Sequence, residues 1–442
     1  MHPHSLLKAT LKPLTAFLGF LQGASSAIWT FPSVLGSAIV IAWAAEAAQF
    51  LVSQGLALAM LAWLQTLPEF AVEAVIAWQA GQVARHSLDP YQTAHATGLV
   101  TANFTGSLRL LVGLGWPMIY VTAAFVCRRR GKKLGHIVLE GEHAVEVIFL
   151  LISIAYFFVI WAKASINLID TALLSLIYFA YLFFLRKIPP QGEERIEDAD
   201  KVPQLILRQP PRVRNAIIIG LFVSGGLLLY VCAEPFLESL KAIALGLGLS
   251  TFVFVQWVAP FLSEFPEKVS AFNWARKVKT APMALMNMVS SNINQWTMLA
   301  AMLPIAYAIS LGRISTIQFD QHQQLEILLT LGQSLLGALL LANMRFSWWE
   351  ALLLFALWMI QFLMSGLENP IDPTMAHSSI AQWTAHLFSL TPDWIEQAAH
   401  LTKIVITVLY FVWSAAVIVA FIVRRKGLEA ITHFPRLMRE HW

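Results

Sequence analysis

The chain has 442 residues, of which 57% are hydrophobic and only 13% are charged, and its mean hydropathy is +0.64. No single water-soluble core buries so large an apolar fraction, so the composition excludes a soluble globular protein and predicts a helical protein that crosses a membrane several times. The formal net charge of +4 comes from basic residues that lie between apolar runs, which argues against a nucleic-acid surface. The sequence contains no nucleotide-binding loop, zinc motif or nucleophile elbow, and we expect neither an enzyme nor a bound cofactor.

Apolar runs long enough for a helical span, about 20 residues, recur along the whole chain. We predict eleven spans, at 26–44, 50–82, 92–126, 143–162, 167–185, 215–234, 239–274, 280–309, 322–343, 347–366 and 401–423. The corresponding domains are an N-terminal amphipathic segment (1–25), a first repeat (26–186), a cytoplasmic linker (187–213), a second repeat (214–366), an interfacial segment (367–400) and a last span with a basic tail (401–442). For the N-terminal segment, a cleaved signal peptide is the alternative interpretation.

Basic residues between the spans predict the orientation, because the cytoplasmic loops of membrane proteins are rich in lysine and arginine. Placing the run from Arg128 to Lys133 in the cytoplasm puts the linker and the run from Arg424 to Lys426 on the same side. The N-terminus is then outside and the C-terminus inside a plasma (inner) membrane. Five spans in each half reverse the direction of the second half, so we expect the two halves to form an inverted repeat.

Two predicted spans are interrupted by proline next to glutamate. Proline removes a backbone donor and breaks a helix, and a carboxylate inside a membrane-length run is costly, so each interruption predicts a functional site with free backbone ends facing a cavity. The following span of each half carries an asparagine three residues before a pair of small residues. The first copy is Thr66-Leu67-Pro68-Glu69 with Asn103 and Gly106-Ser107, and the second is Glu264-Phe265-Pro266-Glu267 with Asn287 and Ser290-Ser291.

These paired motifs resemble the two inverted repeats of the sodium/calcium exchanger (cation/calcium antiporter) superfamily, over residues 26–366. The resemblance implies an all-α polytopic membrane protein with two inverted five-helix repeats and broken helices, to which this chain adds one C-terminal span. It also implies a secondary antiporter that exchanges a divalent cation, calcium, for protons or sodium ions by alternating access, with inorganic cations and membrane lipids as its partners. Carried onto the matching positions, the family's ion ligands are Glu69, Glu267 and Asn292, with Thr66 and Ser291 as further oxygen donors.

The chain departs from the family pattern at several positions, among them Leu64-Gln65 and Leu262-Ser263, which replace a Gly-Thr pair. Leu108 stands where the family has an asparagine after its Gly-Ser pair, and Arg109 follows it. Glu264 stands where the family has a serine and adds a carboxylate. One ligand fewer and one positive charge more argue against a full set of sodium sites, so we favour protons as the counter-ion, or a narrowed stoichiometry.

Helical spacing assigns further roles. Glu73 lies one turn beyond Glu69 on the same face, where it either binds the ion as well or pairs with Arg109. We favour the pairing, because an arginine inside a membrane normally has a partner. Two other roles for Arg109 stay open: a tethered cation in a sodium position, or a side chain on the exterior of its helix.

The second Pro-Glu element contains two more charged residues. Glu264 belongs to the site if the break at Pro266 leaves its helical turn intact. Lys268 points about 100° away from Glu267 around the helix, and we expect it to lie outside the site.

Calcium suits these residue types, because two carboxylates, an amide and nearby hydroxyl or carbonyl oxygens supply the roughly six to eight hard oxygen ligands that it takes. The alternative function is a membrane scaffold or sensor that keeps the fold without transport and uses the last span and the 367–400 segment as a partner surface. A purely structural role, in which the two Pro-Glu kinks serve only helix packing, is disfavoured. A buried glutamate inside the membrane costs free energy, and here it occurs at matching positions of both halves.

Overall fold

The structure is a computed structural model that describes residues 23–51, 66–87, 89–187, 196, 199–247, 250–368, 377, 379–424 and 428–441. Most of the predicted N-terminal segment at 1–25 lies outside these residues. The first part of the broken span at 50–82, most of the acidic stretch of the linker and residues 369–376 of the interfacial segment also lie outside them.

The described residues of the first half form six helices. They are α1 (Ala27–Gln49), α2 (Leu67–His86), α3 (Pro90–Leu110), α4 (Trp116–Arg129), α5 (Ala144–Ala162) and α6 (Leu168–Lys187). A π-helical turn at Leu111–Gly115 joins α3 to α4, and short 3₁₀ turns at Ala24–Ser26 and Gly141–His143 precede α1 and α5.

The second half follows a short linker helix, α7 (Lys201–Leu207). Its helices are α8 (Pro211–Gly246), α9 (Thr251–Ser263), α10 (Phe265–Arg276), α11 (Ala281–Asn294), α12 (Ala300–Leu311), α13 (Gln321–Leu341) and α14 (Trp348–Ser365). A π-helical turn at Gln295–Leu299 joins α11 to α12, at the position that matches the π-helical turn of the first half. The chain ends with α15 (Ser379–Phe388), α16 (Pro392–Arg424) and α17 (Glu429–His441).

Within the described residues, eight helices are long and apolar enough to cross a membrane. They are Ala24–Ala48, Pro90–Arg129, Gly141–Ala162, Leu168–Lys187, Pro211–Gly246, Gln321–Leu341, Trp348–Ser365 and Pro392–Val423. The other three predicted spans contain the helix breaks and the polar cluster, in α2, in α9 with α10, and in α11 with α12. The predicted all-α membrane fold with broken helices and one extra C-terminal span is therefore confirmed.

Four short strands show the inverted relation of the two halves. They are β1 (His136–Val138), β2 (Ser165–Ile166), β3 (Ile317–Gln318) and β4 (Arg345–Ser347), and β1 pairs with β4 while β2 pairs with β3, both antiparallel. β1 and β3 follow the third span of their halves, and β2 and β4 follow the fourth. The two pairs are thus related by the repeat, and each brings one connection of each half to the same side of the helix bundle.

Two predicted helix ends differ from the structure. α8 runs through Pro235 to Gly246, whereas the sequence predicted a loop between 234 and 239. Proline removes only one backbone hydrogen bond, and Glu238 in the continued helix accepts hydrogen bonds from Gln79 at 3.1 Å and Lys241 at 3.0 Å. The last span also begins earlier, because α16 starts at Pro392 instead of 401.

The first helices of the two halves, α1 and α8, pack along each other. Phe31 and Phe236 meet edge to face with their ring centroids 5.2 Å apart, and the hydroxyls of Thr30 and Ser239 are 3.1 Å apart. The two broken helices therefore lie against a paired scaffold in which each half contributes one long helix.

Candidate functional site

Each helix break places a carboxylate in the first turn of the helix that follows it. α2 begins at Leu67 and α10 at Phe265, and both have proline in their first turn, where a missing backbone donor leaves no helical bond unmade. Glu69 and Glu267 lie in the same first turns and are fully buried. The partial positive charge of a helix N-terminus favours an anionic group at this position.

Carboxylates from opposite halves meet in the centre of the protein. Glu69 and Glu264 both contact the hydroxyl of Ser107, and the amide of Gln295 donates to Glu69 at 2.6 Å and to Glu264 at 2.9 Å. A serine hydroxyl has one hydrogen, so it donates to only one of the two carboxylates at a time. The other contact needs a proton on a carboxyl group, or a cation that both oxygens bind.

A glycine brings Ser107 to this position. At Gly106, a Cβ atom would lie 1.8 Å from the backbone oxygen of Gln256 on α9, so only glycine allows the two helices to touch here. The close approach of α3 and α9 places the following residue, Ser107, beside the break between α9 and α10. This contact gives a physical reason for the Gly-Ser pair of the first repeat.

The second repeat contributes side chains whose polar atoms have no protein partner. Both carboxylate oxygens of Glu267 are buried, and so are the oxygen and nitrogen of the Asn292 amide. These four atoms form no hydrogen bond with any described residue. The Ser291 hydroxyl lies beside the Glu267 carboxylate without reaching hydrogen-bond geometry. Buried polar groups normally have partners, so these oxygens are suited to receive a ligand that the protein itself does not supply.

The predicted ligands Thr66 and Glu73 already have protein partners. Thr66 accepts a hydrogen bond of 2.5 Å from the amide of Asn294, which links the two halves a second time. Glu73 accepts one from the amide of Asn103 and lies close enough to Glu69 for the two charges to repel each other. Its second carboxylate oxygen is buried without a partner among the described residues.

Arg109 does not pair with Glu73, so that prediction is wrong. Its guanidinium group donates to Glu326 on α13 at 2.6 Å and to Gln361 on α14 at 3.2 Å, and it stacks over Trp257 at 4.9 Å. Arg109 follows Ser107 by two residues, which turns its side chain about 200° around α3, away from the central carboxylates. The two other predicted roles fail for the same reason, because the side chain is buried and engaged on the far side of the helix.

Lys268 was predicted to lie outside the site, and the structure corrects this. Its ammonium group is buried and donates to Glu264, and it also acts electrostatically on Glu267. Helix α10 starts at Phe265 immediately after the break, so Lys268 lies one turn from Glu264 and returns to the same face. Glu264 and Lys268 are therefore both members of the central cluster.

A second buried charge cluster attaches the last span to the body. Glu326 accepts hydrogen bonds from Arg109 and Gln256 and also from Lys403 of α16, whose ammonium group reaches Glu368 as well. Two cations and two carboxylates balance each other in this cluster. The sequence contained a signal for it, since Lys403 is an isolated cation at the start of the apolar run of the last span.

Sequence reasoning also omitted Gln295 from the site. This residue corresponds to Leu111 of the first repeat, four positions after the second small residue of each motif. An amide in the middle of an apolar run was a usable signal, but its contacts with two carboxylates depend on how the halves meet.

Two inverted five-helix repeats, with broken helices that bring carboxylates into a buried centre, define a secondary ion transporter. A model of the family described as sodium/calcium exchanger protein matches residues 24–187 and 217–366. The chain therefore belongs to the sodium/calcium exchanger family, and the predictions of this family, of a multi-pass membrane protein and of a transporter instead of an enzyme are confirmed.

Solved structures of exchangers resemble the chain along most of its length. The crystal structure of the H⁺/Ca²⁺ exchanger CAX has a TM-score of 0.76 at 26% identity and covers 99% of this chain and 97% of its own. The sodium-calcium exchanger NCX_Mj, soaked with Na⁺ and Sr²⁺, has a TM-score of 0.50 at 20% identity and covers 77% of this chain and 97% of its own, a likeness that concerns the fold alone. A sequence comparison with curated proteins finds no match.

Proposed function

We propose that this protein is a secondary active antiporter that exchanges a divalent cation, calcium, for protons across a plasma (inner) membrane. The observation that carries the proposal is the group of buried, unpartnered oxygens on Glu267 and Asn292. Glu267 interacts electrostatically with Glu69 and Glu264, the two carboxylates that Ser107 and Gln295 hold together. Carboxylate, amide and hydroxyl oxygens are the hard ligands that calcium takes in a tolerant geometry.

Charge balance supports a cation in this centre. Glu69, Glu73, Glu264 and Glu267 interact electrostatically, and in the part of the chain that the structure describes only Lys268 lies among them as a cation. Burial of several unpaired carboxylates is costly, so bound cations or protons must neutralise them in each transport state. A divalent cation neutralises two carboxylates, and two monovalent ions replace it after its release.

Protons are the counter-ion that we favour, with sodium ions as the alternative. Leu108 removes the oxygen ligand that the family pattern places after Gly-Ser, and the overall likeness to an H⁺/Ca²⁺ exchanger extends over nearly the whole chain. Carboxylates that release a divalent cation are themselves proton acceptors.

Alternating access is supported by a cleft that ends close to the site. The cleft has a volume of about 550 Å³, lies between α2, α3 and α8, and includes Ile76 and Leu99 in its lining. These two residues lie one turn from Glu73 and Asn103, which are hydrogen-bonded to each other, and Glu73 lies one turn from Glu69. In the proposed orientation, with the N-terminus outside and the C-terminus in the cytoplasm, the cleft opens to the outside, and the inverted second half supplies the inward route.

Calcium flux into proteoliposomes tests the function. We expect calcium uptake that is driven by an outward proton gradient, is absent without a gradient, and is abolished by Glu267→Gln. Glu234→Gln makes the same chemical change at an exposed position of α8 and should transport like the wild type. A sodium gradient in place of the proton gradient distinguishes the two counter-ions. No flux of any divalent cation with either gradient would exclude the antiporter and leave the membrane scaffold.

A further inference from the structure

Lys268 places an ammonium group inside the candidate ion site. Its ammonium group contacts one oxygen of Glu264, and the side chain is only 6% exposed. The other oxygen of Glu264 contacts Ser107 and accepts from Gln295, the same two groups that hold Glu69. The ammonium is therefore one carboxylate away from the centre where the two halves meet.

The ion pair differs from the second buried charge cluster in its surroundings. Around Glu326, every described carboxylate is matched by a cation of another helix. Around Glu264, Lys268 forms an ion pair with one carboxylate, while Glu69 and Glu267 have no cation within ion-pair distance among the described residues. Glu73, the fourth carboxylate, accepts from Asn103 one turn away from Glu69 and is counted as neutral in every state. The other three are one carboxylate with a built-in cation and two that depend on ions from solution.

We propose that Lys268 acts as a fixed cation that occupies the position of one exchangeable monovalent ion and thereby sets the transport stoichiometry at two monovalent ions per divalent ion. This inference rests on the proposed function and adds its stoichiometry. With the divalent cation bound, Glu69 and Glu267 are neutralised by the ion and Glu264 by Lys268. With two monovalent ions bound, the same groups are again neutral, so a transport cycle moves no net charge.

Removing either member of the pair changes this balance in a defined direction. Lys268→Met leaves three carboxylates that share the incoming cation, so their neutral state needs three monovalent ions. Glu264→Gln leaves the ammonium beside two carboxylates, so one monovalent ion is sufficient. The double variant removes both charges, so its neutral state again needs two monovalent ions. Lys268→Arg keeps the fixed cation and should also need two monovalent ions.

The measurement is the calcium ratio at which net flux stops, in proteoliposomes whose membrane potential is held at zero with potassium and valinomycin. For a tenfold gradient of the counter-ion, this equilibrium ratio is about 100-fold in the wild type, about 1,000-fold in Lys268→Met and about tenfold in Glu264→Gln. In Lys268→Met, the ratio also changes tenfold for each roughly 59 mV of membrane potential, whereas the wild-type ratio does not respond.

The variants separate a stoichiometric role from a structural one. A purely structural ion pair lowers the rate or the yield of folded protein in the single variants and leaves the equilibrium ratio at the wild-type value. An unchanged ratio in either single variant, or a voltage-dependent ratio in the wild type or the folded double variant, overturns the proposal. Absence of flux in the wild type would instead contradict the proposed function.

Discussion

Substitution of Glu326 by glutamine should destabilise the protein, because it leaves two buried cations with too few carboxylates to neutralise them. Glu326 accepts from Arg109 on α3 and from Lys403 on α16, and Lys403 also reaches Glu368. In Glu326→Gln, two buried cations face one carboxylate. An uncompensated charge left by breaking a buried pair costs about 3–5 kcal/mol, so we expect a loss of that size.

The informative measurement combines this change with Arg109→Met. On its own, Arg109→Met leaves Glu326 and Glu368 to share Lys403, so one buried carboxylate is uncompensated and the expected cost is again about 3–5 kcal/mol. In the Glu326→Gln background, the same substitution removes the excess positive charge and leaves Lys403 paired with Glu368. Arg109→Met should therefore raise the stability of Glu326→Gln, although it lowers that of the wild type.

Thermal unfolding of the four proteins in one detergent measures this reversal of sign, and the double-mutant cycle isolates the coupling between the two residues. If Arg109→Met lowers the stability of both backgrounds by the same amount, Arg109 and Glu326 act independently and the charge-balance reasoning is wrong.

Two further predictions concern the helix contact and the topology. Gly106→Ala should lower the stability by about 1–3 kcal/mol and impair exchange, because its Cβ would lie 1.8 Å from a backbone oxygen of α9. Gly36→Ala is the control, because no heavy atom lies within 4 Å of the added Cβ, and it should stabilise the protein by up to about 1 kcal/mol. Equal changes in thermal unfolding for Gly106→Ala and Gly36→Ala would contradict the contact assigned to Gly106. Cysteines introduced at Val138 and Arg345, which face each other across β1 and β4, should form a disulfide on oxidation that mass spectrometry detects. The combination of Val138→Cys with Gln318→Cys should not, and a bond there would contradict the placement of the two strand pairs on opposite sides.

The sequence was sufficient to predict the breaks and their repetition. Proline next to glutamate inside an apolar run predicts a helix start with a carboxylate in its first turn, and both α2 and α10 have this arrangement. Glu69, Glu264 and Ser107 come from both halves and still meet, because the inverted repeat brings corresponding elements to a shared centre. The roles of Glu69, Glu267 and Asn292 as ion ligands stay predictions for the flux measurements.

The errors concern the directions in which charged side chains point. Helical periodicity relates Arg109 only to residues of its own helix, so the carboxylate of Glu326, more than 200 positions away, was not an evident partner. The direction of the Lys268 side chain was predicted from its angle to Glu267. In the structure a new helix starts after Glu264, and Glu264 is the carboxylate one helical turn from Lys268. Both cases require the packing of helices that are distant in the sequence.

The ammonium group of Lys403 has a consequence for biogenesis. Glu326 and Glu368 are synthesised before α16, and Lys403, the cation that completes their charge balance, arrives only with that helix. A lysine within an apolar segment makes insertion of that segment by the translocon less favourable. Glu326 and Glu368 are already in the membrane when α16 inserts, and their pairing with Lys403 favours its insertion. The charges around Glu326 are thus balanced only after α16 has joined the helices made before it.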